Sequence, residues 1–371
     1  MGLINYIIPF LILITVVVFI HEYGHYYFAK KYGVGITDFS IGFGKEIFGW
    51  QDNSGTRWKI CWIPLGGYVK FFGDRNVFSQ SEQKELIAKY KEEDQKKLFI
   101  LKPLYQRAII VAAGPLANFL LAVIIFSFIN MTVGKDITPA IIDEVMPESP
   151  AYSAGMKKND KIIYIDGNKV SSVLEVSTFI NTSISDSIKF IILRENKEKI
   201  FLIKPNIVQG KDSLGNSIKK RMIGIKLSIL NDTFEKKPLG ITESVFYSLK
   251  EVWFVSSTSL KYLGGMIFGK ADSSQLGGPI RIAKITGQVA DHGFIPFLSI
   301  MAYISVSLGL INLFPIPMLD GGHLMFYAFE KILGRPLKQK TQEGFFRIGL
   351  FLLFSLMFFT TFNDLRDIGL F

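Results

Sequence analysis

An apolar run of 18 residues, Leu3 to Ile20, continues without a break into His21-Glu22-Tyr23-Gly24-His25. A run of this length, mostly Leu, Ile, Val and Phe, can cross the hydrocarbon of a bilayer as a helix. Continued in helical geometry, the H-E-x-x-H spacing sets both histidines at i and i+4 on one face. They can then grip a single metal ion, with Glu22 close enough to act on a bound water. Two histidines and a glutamate at a helix end among lipid headgroups, ligating nothing, would have the same local sequence. Ionisable groups at membrane depth are costly and are functional by default. The whole chain has only four histidines, so a pair at ligand spacing weighs more. A zinc site still needs a third protein ligand, from elsewhere in the chain.

Three further apolar segments reach spanning length, from about Ala108 to Thr132, Phe294 to Phe314 and Phe345 to Phe362. Hydrophobic residues make up 49% of the 371, with 33 phenylalanines, a composition that suits lipid-facing helices better than a soluble core. The formal charge of +10 could suggest nucleic acid, but the basic residues form no single dense stripe. Many fall in Lys30–Arg107 and Lys331–Arg347, beside the apolar spans. Positive-inside topology and contact with anionic lipid account for that pattern, and no nucleic-acid partner is expected. The single cysteine, Cys61, forbids an intrachain disulfide and excludes a cysteine-based metal site. The N-terminal run imitates a signal peptide, yet no basic stretch precedes it and no small-residue cleavage site follows it. It reads as a retained first transmembrane helix.

The expected organisation is a polytopic α-helical membrane protein of about four transmembrane helices. The first covers 1–30, the second 104–132, the third 293–322 and the fourth 345–363. Lys/Arg asymmetry puts the 31–103 loop and the 320–345 loop in the cytoplasm, with both termini and the 133–292 stretch on the opposite side. From Ile36 to Phe72, glycines alternate with aromatic and β-branched residues, the signature of short strands and turns. Its aromatic content suggests a β-rich loop that re-enters the membrane beside the helices, where protein or a watery cavity must cover it. Ser79 to Lys97 reads as a solvated helix or linker. Residues 137–227 read as a separate α+β domain, with strands near 141–145, 162–165 and 187–194 and an Asp166-Gly167-Asn168 hairpin turn. Residues 228–292 read as an amphipathic surface segment, with Gly277-Gly278-Pro279 as a turn before the third span.

The third ligand is sought where the third span breaks, in Asn312-Leu313-Phe314-Pro315-Ile316-Pro317-Met318-Leu319-Asp320-Gly321-Gly322. Two prolines and two glycines end the helix, and Asp320 sits at the break on irregular backbone, free to turn inward. A loop-capping aspartate at the membrane surface is the plainer reading. As a ligand, Asp320 would complete two histidines and one carboxylate with a fourth position open for water, a known layout for hydrolytic zinc. Both the first and third spans reach the cytoplasmic half, so the topology permits it. His323 reads as a polar loop residue, His292 as a surface group, and Asn118, mid-span in the second helix, as a residue that hydrogen-bonds to a neighbouring helix or to the β-loop rather than doing chemistry.

These motifs, with Gly66-Gly67-Tyr68-Val69-Lys70, Gly114-Pro115-Leu116-Ala117-Asn118 and the run Ser149 through Gly167, resemble the site-2 protease family of intramembrane zinc metalloproteases. The likeness runs nearly end to end and is strongest to the bacterial inner-membrane branch known as regulator of sigma-E protease. Residues Ser149 to Gly167 are similar to the PDZ pattern, so 137–227 is expected to be a periplasmic PDZ domain. The best-known bacterial members carry two such domains and this chain has one. The resemblance implies zinc, one ion per chain, on His21, His25 and Asp320, with Glu22 catalytic. It implies that Gly66, Gly67, Tyr68 and Val69 pair with an extended substrate, and that Asn312, with Pro315 and Pro317, helps position it. The expected substrates are single-span membrane proteins of the anti-sigma-factor kind or remnant signal peptides, cut within the bilayer of the inner membrane in its cytoplasmic half. The PDZ domain would contact substrate or protein C-termini. Two other readings stand beside this one: a membrane-anchored PDZ adaptor with an inactive metal site, and a zinc transporter, which would want more than one intramembrane ligand cluster.

Overall fold

The computed structural model describes residues 4–73, 90–211, 217–228, 235–269, 271, 273 and 276–367. Along the chain run α1 (Ile4–Lys31), β1 (Ile36–Gln51), β2 (Arg57–Phe71) and α2 (Leu104–Thr132). A segment of short elements follows: β3 (Lys135–Asp136), β4 (Ile142–Val145), β5 (Lys161–Ile165), β6 (Asn168–Lys169), α3 (Val173–Thr182), β7 (Ile188–Arg194), β8 (Lys197–Ile203), β9 (Asn206–Lys211), β10 (Ser217–Met222), β11 (Ile225–Leu227) and β12 (Lys236–Lys237). Five helices complete it: α4 (Ile241–Ile267), α5 (Pro279–Ala290), α6 (Phe294–Asn312), α7 (Asp320–Leu333) and α8 (Gln339–Asp367). The chain divides into two units, Met1–Ile125 with Gly277–Phe371, and Phe126–Leu276.

Among the described residues, four helices are long and apolar enough to cross a membrane: α1, α2, α6 and Lys340–Arg366 of α8. Their large apolar side chains point outward in number, among them Ile8 and Ile12 on α1 and Phe351, Phe354 and Phe358 on α8. Such surfaces would be an aggregation liability in water and are ordinary against lipid tails.

The strands β1 and β2 curl on themselves. Asp38–Ile41 pairs with Gly67–Lys70 on one side and with Arg57–Ile60 on the other, while Glu46–Gln51 pairs with Arg57–Cys61. Gly66 takes the bend at φ +140, a region closed to other residues. Segment 67–71 is thereby left as an edge. At the turn between the strands, Asp52 gathers the Ser54 and Thr56 backbone N–H groups, the Tyr26 hydroxyl at 3.1 Å and the Trp58 indole N–H at 3.1 Å. Partial burial pushes its carboxyl up, but hydrogen bonds from Ser54 and Trp58 outweigh this and hold it well below the usual carboxylate range. Tyr26 lies on α1, so the turn is pinned to the helix that carries the histidines. Cys61 is buried against the Ser40 hydroxyl.

Two expectations need correction. Gly277-Gly278-Pro279 does more than turn the chain, because Pro279 opens the 12-residue helix α5 from the first helical position, which suits proline. The Asp364 carboxylate, on α8, accepts from the N–H groups of Gly278, Ile280 and Arg281 at 2.8–3.0 Å. It thereby satisfies donors that a helix start otherwise leaves open. The stretch after Asp320 is likewise no simple loop: it forms the 14-residue helix α7, with Phe326 and Tyr327 buried. Its opening Gly-Gly, a breaker by local rules, serves close approach instead, since a Cβ at Gly321 would lie 2.3 Å from the Leu313 and Phe314 carbonyl oxygens. His323 therefore sits on a helix, its ring 5.9 Å from that of Phe346. Of the charged stretch Ser79–Lys97, positions 79–89 lie outside the described residues, and Glu92–Gln95 is a single helical turn.

In the second unit, strands in the order β6-β5-β7-β8 form a four-stranded sheet. Its core takes Ile162, Ile165, Phe190 and Ile192 from the strands and Val176, Phe179 and Ile180 from α3. Asp166 and Gly167, both at positive φ, make the two-residue turn between Ile165 and Asn168. Asp160 is fully buried and takes two bonds of 2.6 Å from the Arg194 guanidinium. Removing one partner of such a pair strands a charge. Arg194→Met is therefore expected to cost this domain about 3–5 kcal/mol, read as a lower denaturation midpoint. An unchanged midpoint would refute it.

Candidate metal centre

The histidines reach one point because α1 stays helical past its apolar run: His21 and His25 lie on one face, their ring centroids 4.8 Å apart. That face meets α2 at its small residues. A Cβ at Gly24 would lie 2.4 Å from the Ala113 carbonyl oxygen, and one at Gly114 would lie 2.3 Å from His25 Nε2. Glycine at both positions lets backbone approach backbone and leaves room for two imidazoles. Pro115 lies inside α2, where it removes a helical N–H and presses on the preceding turn. In that turn the Ile110 carbonyl accepts from His25 Nδ1 at 2.8 Å.

Asp320 enters from the first turn of α7 rather than from irregular backbone. Its Oδ2 lies 3.1 Å from His21 Nε2 and its Oδ1 3.5 Å from His25 Nε2, and the two Nε2 atoms are 3.2 Å apart. A tetrahedral zinc ion with bonds of about 2.0–2.1 Å needs neighbouring ligand atoms about 3.3–3.4 Å apart. The separations, two of them to different oxygens of the Asp320 carboxylate, lie around that value, so the donor set fits zinc in type and lies close to its spacing. The bond from His25 Nδ1–H to a backbone carbonyl is the outer contact that metal-binding histidines usually make, and it leaves Nε2 free for the ion. His21, His25 and Asp320 are the cluster of metal-ligating side chains found among the described residues.

Glu22 lies in the same turn of α1, between the histidines and the sheet edge. Its carboxylate accepts from the Val69 backbone, and a Cβ on Gly67 would meet its Cγ at 3.3 Å. Gly67 and Val69 thus lie beside Glu22, while Tyr68 stacks on Phe43. Gly66 packs against the Phe43 ring. Asn312 is the last residue of α6, and the break after it leads to Asp320, with Pro315 exposed and Pro317 buried under Gly349.

The sequence model of Peptidase family M50 matches residues 9–356. The chain belongs to this family. A protein named as a putative zinc metalloprotease in Mesorhizobium japonicum is 39% identical over 97% of this chain and 98% of its own length. One so named in Brucella suis is 40% identical over 98% and 96%. Metalloprotease MmpA of Caulobacter vibrioides is 34% identical over 100% of this chain and 98% of its own. A solved PDZ domain of an SdrC-like protein from Listeria monocytogenes aligns at 24% identity with a TM-score of 0.20, covering 25% of this chain and 90% of that one, an overlap too slight to carry an argument. This M50 peptidase is thus a zinc metalloprotease with membrane helices.

Two contacts of this M50 peptidase escape sequence reasoning. Asn118, expected to hydrogen-bond to a neighbouring helix or to the β-loop, meets His21 on α1, with Nδ2 3.2 Å from Nδ1. Its spacing from Gly114, i to i+4 on one helix face, was the available signal. Arg107 at the start of α2 forms a two-pronged bond to Glu330 on α7, at 2.6 and 3.2 Å, with its guanidinium over the Tyr327 ring. This joins the helix bearing Asp320 to the helix against the histidines, over 223 residues of chain.

Proposed function

We propose that this M50 peptidase hydrolyses peptide bonds within the transmembrane segments of single-span membrane proteins, with one zinc ion held by His21, His25 and Asp320. The observation that carries this reading is the cluster of His21, His25 and Asp320, its donor atoms 3.1–3.5 Å apart, with Glu22 beside it, set in helices of membrane-spanning composition. Bound there, zinc would supply an acidified water and polarise the scissile carbonyl. Glu22, beside the ligands, would take a proton from the attacking water and return it to the leaving nitrogen. A substrate helix must unwind locally, because its carbonyls are hydrogen-bonded and shielded. The edge 67–71 gives the freed backbone a strand to pair with, directly beside Glu22. Asn312, Pro315 and Pro317 line the break before Asp320, where they would help position that strand.

The exposed Ile47, Phe48, Trp62, Ile63 and Leu65 of the curled strands support a loop that dips into the membrane. The distribution of Lys and Arg supports an inner-membrane protein with its site in the cytoplasmic half, and with both termini and the 137–227 domain in the periplasm. That domain, read as PDZ, would contact substrates or protein C-termini. Complete ligands together with Glu22 give the inactive-adaptor reading no observation in its favour.

The test is purified protein with a model single-span substrate. Wild type is expected to carry zinc and to cut within the span, whereas Asp320→Ala loses both zinc and cleavage. Unchanged zinc stoichiometry in Asp320→Ala would remove that residue from the site.

A further inference from the structure

We infer that Asn118 is a positioning residue whose carboxamide stands behind His21 Nδ1 and can serve that nitrogen as donor without metal and as acceptor with it. The inference rests on the metal-centre reading above and adds a residue that acts through His21 rather than on substrate. His25 already has its outer partner, the Ile110 carbonyl at 2.8 Å from Nδ1. His21 has no backbone carbonyl in that role among the described residues. The group at its Nδ1 is the Asn118 carboxamide, with Nδ2 at 3.2 Å.

In this arrangement the amide N–H donates to Nδ1, so the ring proton sits on Nε2, which faces Asp320 Oδ2 at 3.1 Å. Metal binding moves the ring proton to Nδ1, which then requires an acceptor. Asn118 carries one, because its Oδ1 is buried and has no hydrogen-bond partner among the described residues. A half-turn of the amide about its last torsion brings Oδ1 to the place of Nδ2 with almost no change in shape. One side chain thereby serves both states of His21, as donor without metal and as acceptor with it.

The site around Asn118 is built to allow this. The residue is fully buried, and the Ser305 hydroxyl on α6 donates to its backbone carbonyl at 2.8 Å. A Cβ at Gly309 would lie 3.3 Å from the Asn118 Cβ, so α6 closes over the residue and keeps water from taking its place.

The experiment uses the full-length protein in detergent, loaded with zinc and titrated with a chelator of known affinity. Asn118→Leu keeps most of the volume without an acceptor and is expected to hold zinc about 10–100-fold more weakly. Asn118→Asp keeps an acceptor against Nδ1–H, as in carboxylate–histidine–zinc arrangements, and is expected to hold zinc at least as well as wild type. Cobalt(II) replacement gives a second reading, with the visible band of the Leu variant displaced and that of the Asp variant near wild type. Wild-type zinc affinity in Asn118→Leu would overturn the inference. Equal loss in both variants, with both eluting from gel filtration like wild type, would also overturn it, since Asn118 would then act by packing alone. If Asn118→Leu does not fold, Asn118→Asp decides: weakened zinc binding overturns the proposal and retention supports it. A wild-type protein that binds no zinc would instead sink the metal centre itself.

Discussion

Glu22→Gln is expected to keep its zinc and to lose cleavage by at least about 10²–10⁴-fold, the usual contribution of a positioned acid–base group. The change keeps the shape of the side chain and touches none of the three ligand atoms, so zinc content separates loss of chemistry from loss of the site. The amide can neither take a proton from water nor return one to the leaving nitrogen. Single-turnover cleavage of a model span, with zinc measured on the same sample, checks both halves. Normal turnover by the variant would dismiss Glu22 from the catalytic role. Membranes of cells carrying this variant should accumulate uncut transmembrane fragments, which would name the substrates.

The second large effect is expected from the smallest change. A Cβ at Gly114 would lie 2.3 Å from His25 Nε2, 2.5 Å from His25 Cε1 and 2.8 Å from His21 Nε2. Real Cβ contacts are essentially never that short, so Gly114→Ala must push both rings or part α1 from α2. Either movement exceeds the roughly 0.5 Å that a metal or catalytic constellation tolerates. Zinc content and cleavage should then fall together in Gly114→Ala. Gly344→Ala, whose added Cβ would meet nothing within 4 Å, should leave both unchanged. Full zinc occupancy in Gly114→Ala would mean that the two helices do not cross here as described.

Much of the centre was legible because its signals are local. Helical period places His21 and His25 on one face whatever surrounds them, and apolar length alone marks the four helices that can cross a membrane. Local rules also misled. Gly321-Gly322 reads as a helix breaker and Gly277-Gly278-Pro279 as a turn, yet one opens α7 and the other leads into α5. Gly278 answers to Asp364, far along the chain, while Gly321 and Gly322 answer to the backbone of 313–317, which folds back against the start of α7 in a way local rules do not describe. The expected hydrogen bond from Asn118 to a neighbouring helix is present, but its partner could not be named from local rules, since His21 lies 97 residues earlier in the chain.

By itself, then, the sequence of this protein determined the donor types, their shared helix face and the membrane-spanning character of the helices that carry them, because each follows from spacing and composition along one segment. Only the tertiary structure decided that the Asp320 carboxylate lies within 3.1–3.5 Å of both histidine Nε2 atoms, that the 67–71 edge lies beside Glu22, and that Asn118 stands behind His21. Those are distances between helices and strands far apart in the chain, and Gly24 and Gly114, where α1 and its histidines meet α2, show how little room that approach leaves.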